Sequence, residues 1–414
     1  MVHPLIISTS DIDGGAAKAS YRLHRGLQSI DVPSQMLVRA KFSGDSTVVA
    51  NKTPIARLGS QFDHLPLRFY PQRDRAMFSC QWFPDRITPA IAQLQPDILN
   101  LHWINNGYLQ LETLPKLKKT MVWTLHDMWG FTGGCHYSRD CDRYTQNCGH
   151  CPHLQSNSAW DVSRWIWQRK AKIFPQLNLT IVTPSHWLAK CAQTSPLLAE
   201  TPVKVIPNGI DTQVYKPITR SLVRQILNLP TNKKLILFGA MGATRDPRKG
   251  FSYLQEALQK LSYTTHSDSI ELLIFGASQP TNPPQLGFST RYLGRFQDDL
   301  SLALVYAAAD VFVVPSTQEN LSNTVMEAIA CGTPCVAFGI GGMSDMIEHK
   351  QNGYLAQPYE TEDLAQGIGW VLADEQRHAQ LGDRARTKTE QEFTLQHQAR
   401  QYQQLFTEIL ARSC

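Results

Sequence analysis

Short apolar runs, each followed by a glycine-containing turn and a helix-like stretch, recur along the whole chain. No other feature constrains the fold as strongly. Pro4-Leu-Ile-Ile-Ser-Thr leads into Asp13-Gly-Gly-Ala-Ala-Lys-Ala and then Ser20 to Gln28. Comparable runs are Pro96-Asp-Ile-Leu-Asn-Leu-His102, Thr120-Met-Val-Trp-Thr-Leu and Leu179-Thr-Ile-Val-Thr. Further on stand Lys234-Leu-Ile-Leu-Phe, Glu271-Leu-Leu-Ile-Phe, Val311-Phe-Val-Val-Pro and Thr333-Pro-Cys-Val-Ala-Phe. Strands that are apolar without alternation are buried on both faces, as in parallel sheets covered by helices. Strands and helices alternating over the full length predict a doubly wound α/β architecture. The rhythm breaks at Val205-Ile-Pro-Asn-Gly-Ile-Asp211 and then restarts. A linker over 202–216 therefore divides the chain into a first domain, 1–201, and a second, 217–390, with a helical tail from about Glu375 to Arg412.

Composition excludes several classes of function. Hydrophobic residues are 42% and charged residues 18%, enough apolar material for two cores. Forty Lys+Arg against 35 Asp+Glu give +5, spread too thinly to predict a nucleic-acid partner. No uncharged apolar run approaches the ~20 residues of a membrane helix. No charged and apolar leader is visible at the N-terminus, which predicts a cytoplasmic chain. Its nine cysteines are then expected as thiols or metal ligands more than as disulfides.

Four motifs carry chemistry. Glu319 and Glu327 lie eight apart, bracketing Asn320-Leu321-Ser322-Asn323, between a strand ending at Pro315 and a helix starting near Ser322. Glu319 is thereby placed outside the carboxyl end of a strand, where open α/β sheets bind ligands. Backbone amides of 320–323 suit an anionic or hydroxyl-rich ligand; two solvated glutamates are the plain alternative. Arg245-Asp-Pro-Arg248-Lys249-Gly250 follows Phe238-Gly-Ala-Met-Gly, and three cations on such a loop fit a diphosphate, or an ordinary solvated loop. Gly14-Gly15 lets backbone approach a phosphate, although it is not the dinucleotide fingerprint. His126, beside Asp127 at a strand end, is a candidate substrate contact or a structural histidine.

Together these residues resemble a known family. Glu-x7-Glu followed by Ala-Ile-Ala-Cys-Gly-Thr-Pro, with Ile206-Pro-Asn-Gly-Ile-Asp211, Arg248-Lys249-Gly250 and Gly341-Gly-Met-Ser-Asp-Met-Ile-Glu348, looks like the retaining glycosyltransferases of family 4 (group 1). His126-Asp-Met-Trp-Gly-Phe-Thr-Gly-Gly-Cys-His136 is similar to a colanic-acid-type subgroup acting in polysaccharide assembly. The resemblance implies a GT-B fold, two Rossmann-like domains facing across a cleft, with a C-terminal helix, 391–414, returning to the first domain. It implies a nucleotide-diphosphate sugar donor and a glycan or lipid-linked acceptor. Glu319 would contact donor sugar hydroxyls and Glu327 the ribose, with Asn320, Leu321, Ser322 and Asn323 beside them. Lys249 would neutralise the diphosphate, assisted by the Gly15 amide, and His126 would contact the transferred sugar. Relatives often carry an Arg where this chain has Gly239-Ala-Met, so Arg245 or Arg248 would supply the second cation. Base and sugar would be read by backbone and a few loop contacts, near Tyr292 to Arg295 and in the N-terminal loops.

The expected chemistry is hexosyl transfer with retention. Protein cations and amides would stabilise the leaving diphosphate, with no metal needed for the chemistry. A sugar-nucleotide epimerase, a pyridoxal-phosphate phosphorylase and a non-catalytic sugar-nucleotide-binding protein are the alternatives. No candidate Schiff-base lysine marks the second of these.

Two further features stand outside this set. Trp160-Asp-Val-Ser-Arg164-Trp-Ile-Trp-Gln-Arg169-Lys170-Ala-Lys172 interleaves tryptophans with cations. It suggests either peripheral contact with the inner face of a membrane or a core-packing helix with a solvated basic face. Cys135, Cys141, Cys148 and Cys151, within the loop 133–153, have a spacing that fits one structural zinc. His136, His150 or His153 could replace one thiolate; two disulfides or four free thiols are the rivals.

Overall fold

A computed structural model describes residues 2–413 except Met241 and Gln297, so the last residue of Gly239-Ala-Met lies outside the described residues. Contacts divide the chain into two units, 1–209 with 398–414, and 210–397.

In the first unit the elements run β1 (Pro4–Ser10), α1 (Gly15–Gln28), β2 (Gln35–Ala40), β3 (Val48–Ala50), α2 (Pro54–Phe62), α3 (Thr88–Leu94), β4 (Ile98–Leu101), β5 (Met121–Thr124), α4 (Val162–Ile173), β6 (Leu179–Thr183), α5 (His186–Gln193) and β7 (Val203–Val205). The strands form one parallel sheet in the order β3-β2-β1-β4-β5-β6-β7. Every residue of β1, β4, β5 and β6 is buried, as the unalternating apolar runs require. The edge strand β7, Val-Lys-Val, falls inside the stretch read as linker; its short length and central lysine hid it.

The second unit continues α6 (Arg220–Ile226), β8 (Lys234–Gly239), α7 (Phe251–Thr264), β9 (Ile270–Phe275), β10 (Ser289–Gly294), α8 (Asp299–Ala308), β11 (Val311–Val314), α9 (Asn323–Ala330), β12 (Cys335–Phe338), α10 (Met343–Met346), β13 (Gly353–Ala356), α11 (Thr361–Leu372), α12 (Glu375–Glu392) and α13 (Leu395–Ser413). Its parallel sheet has the order β10-β9-β8-β11-β12-β13. In both sheets the chain starts in the middle, builds outward one way and then reverses. The switch points are β1/β4 and β8/β11, and crevices at such points are where this architecture binds ligands.

From Gln398 onward α13 belongs to the first unit. There Ala399, Tyr402, Leu405, Phe406 and Ile409 pack into a core with Ile6, Leu23, Met36 and Val122. The Tyr402 hydroxyl lies 2.8 Å from Thr124 Oγ1.

Candidate functional site

The expected cation and carboxylate meet at the switch point of the second sheet. Asp246 accepts the Arg248 backbone N–H and caps a short 3-10 turn, Pro247–Lys249. Gly250 follows with φ +69°, and a Cβ there would stand 1.8 Å from the Pro315 carbonyl oxygen. Glycine therefore lets this loop lie directly on the end of β11. The Thr317 N–H donates to the Arg248 carbonyl at 2.8 Å, stitching the loops after β8 and β11 together. On the far side Gly341, φ +53°, would place a Cβ 1.8 Å from the Glu319 carbonyl oxygen. Between these two close approaches, Lys249 Nζ donates to Glu319 Oε2 at 2.7 Å. The pair is partly buried, with side chains 22% and 14% exposed.

The remaining donor-side residues divide. Ser322 caps α9, its hydroxyl accepting the Val325 N–H, so the helix begins where the sequence placed it. Asn320, Leu321 and Ser322 are buried and Asn323 opens the helix. Glu327, on the inner face of α9, is 2% exposed and accepts from the Tyr306 hydroxyl at 3.1 Å. The two candidate arginines are not equivalent. Arg248 chelates Asp246 through Nη2 at 2.7 Å and Nε at 3.2 Å. Arg245 is exposed and makes no side-chain hydrogen bond or ion pair among the described residues. Among the described residues, Ser316 Oγ and Gln318 Oε1 in the loop after β11, and Tyr292 Oη on β10, are buried without a hydrogen-bond partner. Such atoms are rare in native interiors. Sequence reasoning pointed to Tyr292 and missed Ser316 and Gln318, which carry no motif.

In the first unit, Gly14 adopts φ 98° at the head of α1, with open space where a Cβ would sit, and Gly15 is the first residue of the helix. Asp11 holds this turn by accepting the N–H groups of Ile12, Phe42 and Ser43. His126 follows β5 and is backed by a chain of polar groups. Asn100 Nδ2 donates to the Val122 carbonyl at 3.2 Å and to Thr124 Oγ1 at 3.1 Å. Its Oδ1 is therefore the acceptor for His102 Nε2–H at 2.9 Å. His102 Nδ1 is then unprotonated and accepts from His126 Nε2–H at 2.8 Å. Burial keeps both rings neutral. It lowers the His126 pKa to about 4 against the pull of Asp127, and lowers that of His102 well below the ordinary value. Nothing in the sequence marked Asn100 and His102 as partners of His126, because they lie on a different strand.

The Trp-rich helix α4 departs from the reading of a solvated basic face. Lys170 is buried, and Arg169 pairs with Glu112 at 2.6 Å while stacking on Trp165. Trp160 and Trp165 are 72% and 40% exposed. The cations expected to face solvent are largely turned inward because backbone carbonyls after β5 and around Cys80 need donors. Among the described residues no helix is long and apolar enough to cross a membrane. Nor are three or more His, Cys, Asp or Glu side chains already drawn in on one point as metal ligands are.

Residues 14–214 match the model of Glycosyltransferase Family 4, and residues 232–374 that of Glycosyl transferases group 1. Among curated relatives, N-acetyl-alpha-D-glucosaminyl L-malate synthase of Bacillus anthracis is 31% identical over 119 residues, 29% of this chain and 30% of that one. D-inositol 3-phosphate glycosyltransferase of Xylanimonas cellulosilytica is 30% identical over 192 residues, 44% and 46%. The aligned regions thus span less than half of these relatives. Among solved structures, sucrose-phosphate synthase from Thermosynechococcus elongatus superposes with a TM-score of 0.71 at 18% identity, covering 100% of both chains. Anabaena HepE, in complex with UDP and glucose, gives 0.64 at 18%, covering 98% of this chain and 100% of that one. At such identity these structures establish the fold, which is that of GT-B glycosyltransferases. With one glycosyltransferase model on each parallel-sheet unit, the chain belongs to the family 4, group 1 glycosyltransferases.

Proposed function

We propose that the protein transfers a sugar, with retention, from a nucleotide-diphosphate sugar to a glycan or lipid-linked acceptor in surface polysaccharide or glycolipid synthesis. The observation that carries this reading is the Lys249–Glu319 pair, held by two glycine contacts at the β8/β11 switch point. One group has the charge for a diphosphate, the other the acceptor oxygens for sugar hydroxyls. The complex of HepE with UDP and glucose supports a donor of this class.

On this reading Lys249 and Arg245 take up the charge that grows on the leaving diphosphate, with the Gly15 amide assisting. No metal ion is needed for that step. Glu319 orients the transferred sugar, and Glu327, already fixed by Tyr306, accepts from the ribose. The neutral His126, its Nε2–H committed to His102, accepts a hydrogen bond from a hydroxyl of the transferred sugar at Nδ1. The departing phosphate oxygen accepts the acceptor's proton on the face where the new bond forms, which gives retention. Peripheral membrane contact would rest on Trp160 and Trp165 rather than on the basic residues between them.

A thermal-shift panel of nucleotide sugars identifies the donor, since a ligand at 100 times its Kd stabilises by ~2.7 kcal/mol. Transfer is then followed by NMR, and the anomeric configuration of the product must match the donor's. An inverted product overturns retention; no shift with any nucleotide sugar overturns the donor class.

A further inference from the structure

Between β5 and α4 the chain runs from residue 125 to 161 with 3-10 turns and no strand or α-helix. So long an irregular stretch needs something to hold it. We propose that Cys135, Cys141, Cys148 and Cys151 hold it by binding one structural zinc ion.

All four cysteines line one cavity of about 10 Å³, and Arg143 and His153 line it with them. That is room for a single water-sized particle. None of the four is in a disulfide. Cys135 and Cys151 are buried and Cys141 and Cys148 half-buried, so an ion held among them is largely shielded from solvent. Residue 133 has to be glycine for the backbone to pass this close to the thiols, since a Cβ there would stand 2.9 Å from Cys148 Sγ and 2.4 Å from the Ser163 carbonyl oxygen. Around the second pair of cysteines the backbone takes positive φ at Cys148, Gly149 and His150 in succession, 54°, 85° and 44°. Two non-glycine residues in that region are costly unless their surroundings require them.

Lys170 lies buried against this loop, its side-chain nitrogen donating to the Trp129 and Thr132 carbonyls, and burial lowers its pKa to about 7. Four thiolates around one divalent ion carry a double negative charge and would favour its ammonium form.

The nearby histidines are engaged elsewhere. His136 lies between Asp127 and Ser79, His153 between Asp74 and the Ser138 carbonyl, and His150 on the Asn157 carbonyl. The ligand set is therefore all sulfur, and a soft tetrahedral site of this kind selects zinc. The thiols surround the cavity without yet converging on one point, so binding requires them to turn inward about their Cα–Cβ bonds. Four thiolates leave no open coordination position, so the ion is structural. The loop it would hold carries His136, whose Nδ1 is 2.7 Å from the Asp127 carboxylate, next in sequence to His126.

The full chain, purified without a histidine tag in chelator-free buffer, should contain about one zinc per chain by elemental analysis. A mercurial thiol reagent should release that zinc as four thiols react. Cobalt-grown protein should show the visible bands of a tetrahedral cobalt–thiolate centre. Cys148→Ser should lose the metal and expose the loop to proteases while nucleotide binding persists; Cys191→Ser should retain it. The wild-type measurements decide the question even if Cys148→Ser fails to fold. Less than about a tenth of an equivalent of zinc with four titratable thiols, two mapped disulfides, or stoichiometric iron instead would each overturn the proposal.

Discussion

Replacing the Glu319 carboxylate by its amide, Glu319→Gln, is expected to tighten the binding of a free nucleoside diphosphate. Glu319 neutralises Lys249 across 2.7 Å. Two unit charges at that distance attract by ~6 kcal/mol at an effective dielectric of about 20. Desolvation offsets most of this. Side chains 22% and 14% exposed place the pair between exposed pairs, worth ~0.2–1 kcal/mol, and buried ones, whose rupture costs ~3–5. A diphosphate competing for Lys249 therefore forgoes about 1–2 kcal/mol in the wild type, a factor of roughly 5–30 in Kd. Glutamine keeps the volume and removes that competition. Calorimetry of the diphosphate without sugar should show this gain, while turnover with the intact donor falls because the sugar loses its charged acceptor. Lys249→Met should weaken the diphosphate, and adding Glu319→Gln to it should change little further. A Glu319→Gln protein that binds the diphosphate no better than wild type, or worse, refutes the idea that the pair is broken on binding.

The two arginines should separate by phenotype. Arg245→Ala should weaken diphosphate binding by ~1.5–3 kcal/mol in the same titration. Arg248→Ala, which frees Asp246, should lower the melting temperature with a smaller effect on affinity. Asn100→Ala leaves His102 Nε2–H without its acceptor and should cost ~1–3 kcal/mol in denaturant unfolding. With the tautomer of His126 no longer set, kcat should fall more than KM changes.

Much of the architecture was legible because both sheets are buried on two faces. Each of the apolar runs read as a strand became one, and Ser322 announced the start of α9. What escaped were strands at or near sheet edges. Ser289–Gly294 has only Tyr292 and Leu293 as large apolar residues, and Gly353–Ala356 is only four residues long. In the site, the motif picked out Lys249 and Glu319 but not their pairing, which depends on loops 70 residues apart meeting over Gly250 and Pro315. That Arg248 pairs with Asp246 while Arg245 does not was likewise hidden, since a sequence shows Asp246 as a neighbour but not as a partner. Lys170 is the sharpest miss. As one cation of a basic segment it was expected on a solvated face, and the carbonyls after β5 drew it inside.

The last helix bears on how the chain is made. Tyr402 and Phe406 are fully buried in a core whose other walls come from α1 and from strands β1 to β6. A ribosome delivers those walls first and the closing helix last, after the whole second unit. During synthesis the first unit is therefore left with an open apolar face for the time that residues 210–397 take to emerge, while the second is complete before it. The older half of the nascent chain finishes folding later, and in that interval it is the half most in need of a chaperone.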